Sequence, residues 1–138
     1  MLEGKELHDG KFLKILWDDR SRIVPIDWKE TTAEMSDEDF KADLTTFASY
    51  VERQKARGIL VDVAQFRHQP GPDLQPWRVK NISTRYAAAG VLRFAFLFPP
   101  GAQVPPMMNR SSPGENFETR AFNSVDEAIH WLSDAVAT

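Results

Sequence analysis

The chain has 138 residues, no cysteine, and 17 basic against 20 acidic side chains, for a formal charge of −3. That length can bury a sizeable core without cross-links, and hydrophobic residues at 42% with charged ones at 27% are the proportions of a folded globular chain. The totals exclude disulfide scaffolds, thiolate catalysis and cysteine-based zinc sites, and they offer no broad positive surface for nucleic acid.

The polar start, Met1-Leu2-Glu3-Gly4-Lys5-Glu6, lacks the apolar core of a signal peptide, and no apolar run approaches the roughly 18 residues of a transmembrane segment. The expectation is one cytoplasmic domain over residues 1–138. Phe12 to Trp17 and Ile23 to Trp28 flank the polar turn Asp18-Asp19-Arg20-Ser21, which predicts a hairpin. Pro25 has no N–H for a ladder and places its strand at an edge or a bulge.

Ser36 with Asp39 three residues on marks a helix start, and Met35 and Phe40 stand where a hydrophobic staple clamps the entry. Phe40, Leu44, Phe47, Ala48 and Val51 recur at helical spacing, and Gly58 supplies a stop. Ile59-Leu60-Val61-Asp62-Val63 is short and rich in β-branched residues, as a buried strand is. The loop from Gln65 to Pro72 follows. Asp73 then caps a second helix that holds Pro76 in its first turn and stops at Gly90.

Val91 to Phe98 is the most apolar run and predicts a central strand buried on both faces. The stretch from Pro99 to Asn116 carries five prolines, Met107-Met108 and Ser111-Ser112, and reads as a long loop. Phe117 to Phe122 forms a last strand. Ser124 and Glu127 form a capping box for a final helix whose inner stripe is Val125, Ala128, Ile129, Leu132 and Val136. The order ββαβαββα predicts an α/β fold: a small mixed β-sheet with an N-terminal hairpin and three main helices that cross over between parallel strands.

This order resembles the SpoIIAA-like proteins of the STAS superfamily. The residues that carry the resemblance are Ile59 to Val63 after the first helix, Trp77 in the second, Arg93-Phe94-Ala95 in the next strand, and the ending Phe117 to Leu132 with its Ala128 three residues before Trp131-Leu132. The resemblance implies a small mixed sheet with the helices packed mostly on one face, and a binding or signalling role. It also implies, in the signalling members, a phosphorylatable serine after the central strand; no serine or threonine occurs between Gly58 and Ile82, so the phosphorylation switch lacks its acceptor.

The three histidines, His8, His68 and His130, have no metal-ligand spacing. No Gly-x-Ser-x-Gly elbow, Walker loop or dinucleotide fingerprint occurs. No catalytic residue, metal or cofactor is therefore assigned. His68 stands between Asp62, at a strand end, and Asp73, at a helix start, where an imidazole can be held between carboxylates; the plainer reading gives Asp62 backbone bonds at its own strand end. Arg67, Arg78 and Lys80 near the second helix start suggest a small-anion site or simply a solvated face. Phe66 and Trp77 suggest an aromatic wall or core packing. Met107 and Met108 suggest an adaptable apolar lid or a loop laid over a sheet edge.

Three functions follow as expectations. The first is a non-catalytic binding or interaction module for a protein or small-molecule ligand, possible as a homodimer, with its surface at Asp62, Phe66, Arg67, His68, Trp77, Arg78, Met107 and Met108. The second is a carrier of a small apolar or amphipathic, lipid-like ligand, suggested by the methionine pair and by the lipid-binding domains with which such folds are grouped. The third is a hydrolase or lyase using His68 with Asp62.

Overall fold

The computed structural model describes residues 4–104 and 116–137, the last three by backbone alone. Six strands form one sheet: β1 (Lys5–Asp9), β2 (Leu13–Trp17), β3 (Ile23–Trp28), β4 (Gly58–Asp62), β5 (Arg93–Leu97) and β6 (Glu118–Phe122). They lie side by side in chain order. The first three are antiparallel neighbours and the last four run parallel, so the sheet is mixed.

The expected hairpin is thus a three-stranded meander. Lys5–Asp9 was not foreseen because it has one apolar residue, Leu7, and an edge strand needs no second. A bulge shifts its register between Glu6 and His8. Pro25 does not lie at an edge. Its strand is paired on both sides, and the ladder to β2 covers Ile26 to Trp28 and resumes only at the Asp18–Ile23 bridge. The missing N–H falls in that gap.

Helix α1 (Asp37–Gln54) begins as expected. Asp39 N donates to Ser36 Oγ (3.1 Å) and Ser36 N donates to Asp39 Oδ2 (3.0 Å), while Met35 and Phe40 are both buried in the core. Its end corrects the expected stop. Lys55, not Gly58, turns the chain, with φ 55° and ψ 51°. Gly58 starts β4, and a Cβ there would stand 3.3 Å from Ile23 Cγ1 and 3.4 Å from Leu132 Cδ2. Its bareness lets a helix approach the sheet.

The second helix is divided into α2 (Leu74–Arg78), a π turn (Val79–Ser83) and α3 (Thr84–Ala89), and ends at Gly90 with φ 104°. Asp73 does not cap it. That residue has helical angles (φ −82°, ψ −11°) and its side chain makes no cap bond. Pro76 does lie in the first turn.

Side chains alternate across the sheet. Leu13, Ile15, Val24, Ile26, Ile59, Val61 and Phe94 face α1 and the α2–α3 helix in the main core. Ile23, Leu60, Ala95 and Phe122 face the other way and pack with Ala128 and Leu132 of α4 (Val125–Ala137). The helices therefore divide between both faces, two on one and α4 on the other. β5 lies one place from the edge; Phe94 and Ala95 are buried but Phe96 and Leu97 only half so. Val125, expected on the inner stripe of α4, is exposed. Only Glu127 N to Ser124 Oγ (3.4 Å) of that helix's capping box is formed among the described residues.

Candidate functional site

The ends of β3 and β4 and the first turn of α1 converge on one aromatic cluster. Trp28 closes β3, Phe40 lies in the first turn of α1, and Phe66 and His68 come from the loop after β4. Ring centroids are 5.1 Å apart for Trp28 and Phe66, 5.6 Å for Trp28 and Phe40, 5.8 Å for Phe40 and Phe66, and 5.7 Å for Phe40 and His68. The rings meet tilted or edge-on, the arrangement aromatic quadrupoles favour.

The loop is fastened to this cluster by polar bonds from residues far away in sequence. His68 Nε2 lies 2.8 Å from Asp37 Oδ1, and its side chain keeps 11% of its exposure. Gly71 N donates to the same oxygen at 3.4 Å. A Cβ on Gly71 would come within 2.8 Å of Asp37 Oδ2, so a glycine is needed for the approach. Arg67 N donates to Thr32 Oγ1 (2.8 Å), and the fully buried Thr32 hydroxyl donates in turn to Lys29 O (2.7 Å). Phe66 N closes a turn onto Val63 O at 3.1 Å. Arg67, Gln69, Pro70, Pro72 and Asp73 are left exposed on the outer side.

The pairing corrects the expected carboxylates. His68 is held by Asp37 rather than between Asp62 and Asp73. Asp62 Oδ1 accepts from Ala64 N at 2.9 Å, the plainer of its two readings. Asp62 also stands beside Asp27 in the β3–β4 register, on the sheet face opposite the main core. Burial, and then the charge of Asp62, push the Asp27 carboxyl above the usual carboxylate range.

Trp77 is half-buried and sits under Lys41, whose Nζ is 5.4 Å from the ring centroid. Arg78 turns along its own helix, with Nε 3.4 Å from Gln75 Oε1 and Nη1 3.3 Å from Ser83 Oγ. Met107 and Met108 lie outside the described residues.

The chemistry open to this arrangement is narrow. The imidazole is oriented by a carboxylate, as a general base is. Among the described residues, however, the hydroxyls close in sequence to Asp37 are committed, Ser36 to its capping box and Thr32 to its two bonds. Also among the described residues, no group of three or more His, Asp or Glu side chains is disposed to hold a metal ion, and no helix is long and apolar enough to cross a membrane. Two hollows formed by the described residues are open and lie elsewhere. One is bounded by Lys5, Asp18, Asp19 and Arg20, the other by Arg120, Asp126, Glu127 and Asp134.

Two of the residues that build the site escaped the sequence reading. Neither Asp37 nor Thr32 belongs to a motif in the sequence. The available signal was faint: two acidic residues, Asp37 and Glu38, stand between the cap and Asp39, more than a capping box needs. Compared with family models, with curated proteins and with solved structures, the chain matches none.

Proposed function

We propose that the chain is a non-catalytic binding module of the SpoIIAA-like kind, whose contact surface is the loop over residues 63–73 together with the first turn of α1. The observation that carries this reading is the double use of Asp37, which fixes both His68 and Gly71 from inside while the outer side chains of the same loop stay in solvent. A loop held in one conformation before contact loses less entropy on binding. Loops that carry binding residues on a rigid scaffold behave in this way. The mixed sheet with parallel strands joined through α1 and α2–α3 is compatible with the family resemblance, which enters here as part of the proposal. A hydrolase or lyase built on His68 and Asp62 gains no support, because the two side chains take separate partners.

A photo-crosslinking amino acid at Gln69, compared with one at Thr45 on the exposed side of α1, tests the proposal in extract of the native host. The expected result is a discrete adduct from position 69 that is lost when Asp37→Ala frees the loop, with the fold retained by circular dichroism. Equal labelling from both positions, or an adduct indifferent to Asp37→Ala, would refute it.

A further inference from the structure

On the far side of the sheet, Arg120 of β6 projects into the hollow bounded by α4. Its guanidinium lies over two rings, 5.3 Å from the Phe122 centroid and 5.6 Å from that of Trp131. Among the described residues no carboxylate or carbonyl accepts from it. Its neighbour Arg93 is spent differently. Arg93 also stacks on Trp131 (4.8 Å), but its Nη1 donates to Trp131 O at 2.7 Å and lies 3.8 Å from Asp134, and its Nε lies 3.7 Å from Glu118. Arg93 fastens α4 to the sheet by hydrogen bond and ion pair; Arg120 reaches α4 only through the Trp131 ring.

The same hollow is lined by Asp126, Glu127 and Asp134. Asp126 and Glu127 are exposed and form no ion pair among the described residues. The patch thus joins the half-buried Trp131, one uncommitted guanidinium and an acidic helix edge. A free anion would meet the carboxylates, and a wholly acidic or wholly basic partner would meet like charge on one half. A complementary surface must carry both signs in the opposite order. A two-fold axis through Trp131 supplies that order from the chain itself, since an isologous contact sets each patch against its own image.

We propose that the β6–α4 face is a self-docking surface on which a second copy of this chain seats, with Arg120 of each protomer against Asp126 and Glu127 of the other around Trp131. Tryptophan and arginine are the residue types that dominate such contacts. The inference is independent of the loop surface, which belongs to the opposite side of the sheet.

Sedimentation velocity over the micromolar to millimolar range tests it. The expected result is a dimer that dissociates as salt is raised. Arg120→Glu should weaken it by at least about tenfold, as loss of a close charge pair across an interface does. The double change Asp126→Arg with Glu127→Arg should weaken it likewise. Mixed in equal amounts, the Arg120→Glu chain and the double-change chain should form a heterodimer, because the reversed charges then face each other at one of the two contacts and the native pair is kept at the other. A wild-type monomer throughout, a dimer indifferent to Arg120→Glu, or failure of the mixture to associate would each overturn the proposal. All three positions are exposed, and thermal unfolding of each variant checks that the fold is kept.

Discussion

Replacing Thr32 by Val removes one hydroxyl and almost no volume from a fully buried position. Two hydrogen bonds go with it, from Arg67 N and to Lys29 O. Lys29 O keeps Thr32 N as a donor at 3.1 Å, so the larger part of the cost falls on the Arg67 amide, left without its acceptor beneath the loop. Each hydrogen bond contributes about 1 kcal/mol net, and a stranded buried donor costs about 1–3 kcal/mol. The sum is a loss of roughly 2–3 kcal/mol. With a urea dependence of about 1.5 kcal/mol per molar, the midpoint should fall by 1–2 M at an unchanged slope. Thr32→Ser is the control: it keeps both bonds and loses a methyl, at about 1 kcal/mol. Hydrogen exchange supplies the local readout. The Arg67 amide should be protected in wild type and Thr32→Ser and should exchange freely in Thr32→Val. If Thr32→Ser is as damaging as Thr32→Val, or if the Arg67 amide stays protected in Thr32→Val, the account of how this loop is held is wrong.

Lys55→Gly should stabilise the protein by about 1 kcal/mol, because Lys55 holds a left-handed conformation that costs a side chain with a Cβ about that much; calorimetry reads the gain, and a loss would show that the lysine side chain matters more than its backbone. Leu132→Ala should cost about 2–5 kcal/mol in denaturant unfolding, since Leu132 is fully buried between α4 and the sheet; a loss under 1 kcal/mol would remove α4 from that face. Asp43→Asn tests a carboxylate on α1 whose Oδ2 is buried with no hydrogen-bond partner among the described residues. Burial raises its folded-state pKa above the ordinary 3.8, with His8 opposing and Asp39 reinforcing the shift. The folded protein therefore loses stability as pH rises from 3.8 through the raised value, and Asn is spared this. Melting temperatures of the pair should be close at pH 3 and separate in favour of Asn towards neutrality; a difference independent of pH would contradict the assignment.

Much of the fold was legible because it is written locally. Ser36 and Asp39 mark a helix start with side chains that bond within three residues, and Ile59 to Val61 announce a strand by β-branching. The polar strand Lys5–Asp9 was not legible: at the sheet edge it needs one apolar contact, and Leu7 alone makes no period. The π turn at Val79–Ser83 has no sequence mark either. The choice of face for α4 was half-written. A β4 apolar at Ile59, Leu60 and Val61 demands cover on both sides, so some helix had to occupy the second face, but a stripe of Ala128 and Leu132 does not say which. The partner of His68 was out of reach altogether, since Asp37 lies 31 residues away and only the α1–β4 crossover brings them together.

The strand order accounts for a packed loop, among the described residues, at the ends of β3 and β4. In doubly wound sheets the ligand crevice opens where the strand order reverses and successive crossovers depart to opposite faces. Here the strands follow β1 to β6 without reversal, and the two helical crossovers, through α1 and through α2–α3, pack on one face. The loops that leave β3 and β4 therefore lie side by side instead of parting. With no gap to line, Phe66 fills the space against Trp28 and Phe40, and the polar backbone of the loop has to be satisfied from beneath. Thr32 and Asp37 meet that need. The residues that would line a crevice in a reversing sheet become, in this one, the anchors of an outward-facing loop.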